Sequence, residues 1–139
     1  MRKNWFGITA MLSVIILLML PVAWSSAAGQ DQGFIEKGRR LFLKHCAPCH
    51  GAEATGHGPV ATQLKKQPAD LTVVQKRGEK FPIYKVMTFI DGERVVPAHG
   101  TREMPIWGRV FRRREGEALA RSDIYALAKY IESIQKFKQ

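Results

Sequence analysis

An all-α domain is the fold class this chain predicts, and three observations carry that expectation. Apolar residues recur at spacings of three and four in separate stretches, no run shows convincing period-two alternation, and the intervening segments are rich in Gly and Pro. Phe34, Gly38, Leu41 and Phe42 mark a first helix that runs into Cys46. Pro82 suits a first helical position and Gly92 the residue just past the end, so a second helix is expected from about Pro82 to Asp91, with Ile83, Val86, Met87 and Ile90 on its apolar stripe. Ser122 is a good N-cap for a last helix reaching about Phe137, burying Ile124, Leu127, Ala128, Ile131 and Ile134. Between them, Gly51 to Asp70 reads as a shaped loop with one helical turn around Ala61 to Lys65, and Gly92 to Gly108 as a second loop. Three helices in so short a chain make a thin core. Loops this long are usually functional or disordered, and an apolar cofactor among the helices would complete the interior.

The first 28 residues stand apart. Arg2 and Lys3 precede 19 uncharged, almost wholly apolar residues from Phe6 to Trp24, and Ser25-Ser26-Ala27-Ala28 follows with the small side chains of a signal-peptidase site. The same run approaches the ~20 residues of a membrane span, so it is read either as a signal peptide cleaved after Ala28 or as a retained anchor. Pro21 and the small residues favour cleavage. Both readings place the remainder outside the cytoplasm: periplasmic, or membrane-anchored and facing the periplasm. Residues 29–33 read as a short linker and 34–139 as one domain, since no internal repeat is visible. Of the 22 Lys and Arg residues two lie in the leader, leaving 20 against 12 Asp and Glu, an excess of 8. Such a surface attracts acidic proteins or anionic membranes through its long-range field; nucleic acid is seldom met by an exported protein.

Cys46-Ala47-Pro48-Cys49-His50 is the chemical centre of the sequence. Two thiols three residues apart can each add to one vinyl group of a single haem, and the residue that follows can then place an imidazole nitrogen on the iron. Shuffling two Cys and four His through this length yields the motif about once in 2,400 trials. A thioredoxin-like site would want a strand before Cys46, and a zinc site would want four well-spaced ligands. A plain disulfide would not need His50.

For the opposite face of the iron, Met87 and Met104 are the thioether candidates beyond the leader. Met104 sits in the loop segment Met104-Pro105-Ile106-Trp107-Gly108, whereas Met87 falls in a helical stripe where a Met normally packs. Met104 is therefore preferred, with His99 and Met87 as its rivals.

These residues resemble class I c-type cytochromes, the bacterial monohaem His/Met carriers. Cys46-Ala-Pro-Cys-His50 and Met104-Pro-Ile-Trp-Gly108 carry the resemblance most strongly, supported by Gly38-x-x-x-Phe42 and Leu127-x-x-Tyr130-Ile131, and it covers Phe34 to Phe137. It implies a cytochrome c fold, three to five short helices with long loops wrapped around one haem c held by two thioethers, and a crossing of the first and last helices at Gly38 and Tyr130. It further implies that a proline carbonyl, at Pro59 or in reserve Pro68, accepts the His50 Nδ1–H. Trp107 would lie at the haem edge with its indole N–H near a propionate. With His50 and Met104 both on iron no position is open to substrate, so the expected role is a one-electron carrier in an extracytoplasmic respiratory or redox chain, not an enzyme. The alternatives are a haem subunit dedicated to a dehydrogenase or oxidase, and a haem sensor or enzyme with a displaceable Met104. Expected partners are redox proteins with acidic docking surfaces, including a membrane-bound oxidase or dehydrogenase, met by Lys65, Lys66, Arg102 and Arg112 to Arg114.

Overall fold

The computed structural model describes residues 25–92 and 104–137. The helices among them are α1 (Ser25–His45), α2 (Ala47–His50), α3 (Ile83–Asp91), α4 (Trp107–Glu115) and α5 (Glu117–Ser133), with short 3-10 turns at Ala61–Gln63 and Leu71–Val73. No strand occurs among the described residues, and none of their helices is long and apolar enough to cross a membrane. The leader run Phe6 to Trp24 and the rival ligand His99 lie outside them. The chain divides into two compact units, the second running from Gly33 to Gln139. Residues 29–33, expected as a linker, are helical and belong to α1.

Hydrophobic periodicity fixes what α1, α3 and α5 bury. Phe42, Phe111 and Leu127 are fully enclosed, and Ile90, Ala120, Ile124, Tyr130 and Ile131 close the same core. α1 meets α5 where Gly38 is buried: a Cβ there would lie 2.8 Å from Tyr130 Cβ and closer still to the Ala126 carbonyl. Only a glycine lets the two backbones approach so far. The expected contact between Gly38 and Tyr130 is present, with Phe42 and Tyr130 rings 5.2 Å apart beside it. Lys37 Nζ crosses the same joint, 2.6 Å from Asp123 Oδ1 and donating to Ser122 Oγ at 3.0 Å.

The second half departs from the sequence reading in two places. The segment through Gly108 was expected to stay a loop, yet α4 begins at Trp107. Trp107, Val110 and Phe111 form an i, i+3, i+4 stripe, masked in the sequence by the glycine inside it and the arginines after it. A Cβ at Gly108 would collide with the Asp91 carboxylate, which could swing aside, and would lie 2.7 Å from the Asp91 backbone carbonyl, which could not do so as easily. That carboxylate sits at the first turn of α4, where the helix dipole favours an anion. Ser122 is likewise not an N-cap. α5 starts at Glu117, directly after Gly116 (φ +81°), and Ser122 lies inside it as the acceptor for Lys37. Elsewhere agreement is close: Gly92 ends α3 in the left-handed region at φ +88°, and a 3-10 turn stands at Ala61.

Candidate haem site

α1 ends at His45, and after Cys46 the chain makes one further helical turn, α2, with Pro48 in its first positions. Cys46 N–H still donates to Phe42 O at 2.8 Å, while His50 N–H donates to Cys46 O at 2.8 Å. Cys46, Cys49 and His50 are therefore presented by one rigid turn built on a helix end. Cys46 is buried and Cys49 half-buried. Burial, with the neighbouring Cys49, pushes the Cys46 thiol up to about 12.

The loop after the motif folds back around His50. Gly56 N–H donates to His50 O at 2.7 Å, and Gly58 and Val60 donate to Cys49 O and Pro48 O at 3.0 Å. Gly56 has φ +86°, and a Cβ on it would collide with the Pro68 carbonyl. That close approach brings the segment 68–70 across the imidazole. His50 Nδ1–H donates to Ala69 O at 3.0 Å. A carbonyl can only accept, so Nδ1 carries the proton and Nε2 keeps a free lone pair. Burial lowers the His50 pKa, with the Ala69 carbonyl pulling the other way, which favours the neutral ring.

The acceptor is thus Ala69, neither Pro59 nor the reserve Pro68. Residues 58–60 run along the backbone of α2, which leaves Pro59 exposed and its neighbours bonded to residues 48 and 49. Nothing in the sequence singled out Ala69 itself, but the Pro68-Ala69-Asp70 triplet carried a turn signal. Asp70 Oδ1 accepts from Thr72 N at 2.8 Å and from Thr72 Oγ1 at 2.5 Å, capping the turn that follows Ala69.

The second half of the expected site is more open. Met104 is 38 % exposed and precedes α4 by three residues. Trp107 is half-buried, its ring 5.1 Å from that of His45 and stacked 5.9 Å from Phe111. It therefore joins the Met104 segment to the residue just before Cys46. Met87 is partly buried against the core, as its helical stripe implied. His45 is wedged between Trp107 and Phe111, and burial lowers its pKa. His57 is exposed, with Nδ1 3.4 Å from Thr55 Oγ1. No cluster of His, Cys, Asp and Glu able to hold a metal alone occurs among the described residues.

Two thiols on one turn, with a neutral imidazole directly after them whose Nε2 is free, fit the needs of a covalently attached haem. The fit rests on the donor set and on the Ala69 bond that fixes the ring. Among family models, that for cytochrome c matches residues 35–135, most of the chain. Searches of curated proteins and of solved structures find no match. The matched span runs from the first turn of the core through the last helix and includes the whole Cys-x-x-Cys-His segment. The chain accordingly belongs to the cytochrome c family and carries covalently bound haem c, the group on which electron transfer in that family depends.

Proposed function

We propose that this cytochrome c is a one-electron carrier of an extracytoplasmic redox chain, with haem attached at Cys46 and Cys49 and iron held by His50 and Met104. The observation that carries the reading is the His50 ring: Nδ1 lies 3.0 Å from Ala69 O, a carbonyl that can only accept, so Nε2 is the nitrogen left to bind iron. When bound, the haem supplies a ferric/ferrous couple, and a thioether opposite an imidazole raises its potential relative to two imidazoles. The protein's part is to fix and enclose. Helix α2 sets both sulfurs, the 51–70 loop clamps His50, and Pro105 restricts the backbone after Met104. Rigid groups reorganise little between oxidation states, which is the requirement of a carrier.

The leader argues for export, by cleavage after Ala28 or as an anchor facing the periplasm. Partners would be redox proteins with acidic faces, among them a membrane-bound oxidase or dehydrogenase. Of the basic residues named for docking, Arg113 and Arg114 are exposed on α4, whereas Arg112 is engaged by Asp91 at 2.7 Å and Glu117 at 3.8 Å. The exposure of Met104 favours one second reading, a sensor or enzyme in which this ligand is displaced.

Three measurements separate these readings. Protein matured with the haem-attachment machinery should keep its haem through acid–acetone extraction, and Cys46→Ser with Cys49→Ser should release all of it. The ferrous protein should bind carbon monoxide slowly and exchange electrons with an acidic protein partner at a rate that falls steeply with salt. Rapid carbon monoxide binding by the unmodified protein would overturn the carrier in favour of the displaceable Met104.

A further inference from the structure

Gln135 is 3 % exposed, one of few buried polar side chains, and lies just beyond α5. Its amide is fully used. Oε1 accepts from Gln75 N–H at 2.8 Å, and Nε2 donates to Leu71 O at 2.7 Å and to Ile131 O at 2.7 Å. Only one orientation of the amide can satisfy two carbonyls and one N–H, so the side chain acts as a directional staple. Lys136 N–H adds a bond to Thr72 O at 2.9 Å. The end of α5 is thereby fastened to residues 71–75, about sixty positions earlier in the chain. Those residues continue from Ala69, whose carbonyl holds the His50 ring; Asp70 between them is tied to Thr72, and Leu71 N–H donates to Ala54 O at 2.8 Å.

We propose that Gln135 is a positioning residue for the His50 imidazole, acting through Leu71 and the Ala69 carbonyl to set how strongly Nδ1–H is held. The inference rests on the reading of His50 as an iron ligand. A carbonyl drawing on Nδ1–H makes the imidazole a stronger donor at Nε2 and stabilises ferric over ferrous iron. Loss of the staple lets residues 69–71 shift. The hydrogen bond lengthens, the ring becomes a poorer donor, and the redox equilibrium moves toward ferrous. Stability and potential are linked here through one buried amide in the last turn of the fold.

The test uses holoprotein carrying Gln135→Met, which keeps the volume and loses all three bonds. Gln135→Glu keeps the acceptor for Gln75 and loses both donors, so it serves if the first variant fails to accumulate. Ile124→Val is the control, a core change that lowers stability without touching the staple. The expected result in either Gln135 variant is faster amide exchange at Gln75 or its neighbours, an upfield move of the His50 Nδ1–H resonance in the ferrous protein, and a ferrous/ferric ratio raised several-fold at fixed solution potential. Ile124→Val should leave resonance and potential at their wild-type values. Accelerated exchange with an unmoved Nδ1–H resonance and potential would overturn the proposal, as would an equal potential shift in Ile124→Val. Wild-type protein lacking an imidazole-ligated covalent haem would instead overturn the reading of the site, and that is seen before any variant is compared.

Discussion

The segment that follows Cys-x-x-Cys-His and the segment that carries Met104 have opposite constructions. Around His50 the backbone is cross-bonded at short range: residues 56, 58, 60 and 71 all donate to carbonyls of residues 48–54, and Ala69 takes the imidazole proton. Met104 leads into α4 and is more than a third exposed, and its segment is held through α4 instead, by the Trp107 ring against His45 and by the Asp91 carboxylate against Gly108 and Arg112. The difference teaches where each proposed ligand would get its precision. His50 is fixed by its own loop and by the residues 71–75 that Gln135 fastens to the end of α5. Met104 is fixed only as well as α3 and α4 are docked.

Breaking the first region should cost most. Gly56→Val adds a branched side chain at φ +86° against the Pro68 carbonyl, a combination of backbone strain and overpacking that should cost about 1–3 kcal/mol. Thermal unfolding would show this as a midpoint several degrees lower, together with a perturbed His50 Nδ1–H resonance. A midpoint equal to wild type would mean that the 51–70 loop is not the clamp described.

Asp91→Ala probes the second region. It frees Arg112 from its 2.7 Å ion-pair contact and removes the anion from the first turn of α4. Arg112 remains partly in solvent and keeps Glu117 at 3.8 Å, so the stability cost should be modest, about 1 kcal/mol. The sharper readout is ligand exchange: ferric protein should lose Met104 to added imidazole faster than wild type, while His50 is undisturbed. An unchanged exchange rate would contradict the claim that α4 docking governs Met104.

The smallest effect concerns pH. The Thr72 hydroxyl and N–H hold the Asp70 carboxyl below its ordinary value of 3.8, with Lys136 helping less. A carboxyl depressed on folding stabilises the protein fully above that ordinary value and loses this contribution as pH falls through the lower folded one. Asp70→Asn should therefore narrow the gap between stability at neutral pH and at the acid limb. In denaturant melts across that range, an Asn variant with the same acid slope as wild type would show that the cap is not what titrates.

How much of this was legible in the sequence follows from what each signal measures. The motif at Cys46 to His50 and the α3 end at Gly92 are local patterns, the Gly38 crossing was implied by the family resemblance, and each appears in the structure at the expected residues. α4 was hidden because Gly108 and the run Arg112 to Arg114 weaken a helical stripe whose reason, the approach of Asp91, is a tertiary contact. Ser122 misled for a related reason. A good capping residue also makes a good partner for a lysine on another helix, and Lys37 claims it. The His50 acceptor moved from Pro59 to Ala69 because backbone carbonyls have no sequence signature; their positions are set by Gly56, Asp70 and Gln135 acting from three directions.

The most direct test is the near-infrared spectrum of the ferric holoprotein, where a thioether on haem iron gives a charge-transfer band. The account predicts that wild type shows this band, that Met104→Ala abolishes it, and that Met87→Ala retains it because Met87 only packs in the core. A band that survives Met104→Ala, or vanishes in Met87→Ala, would contradict the assignment of the distal side.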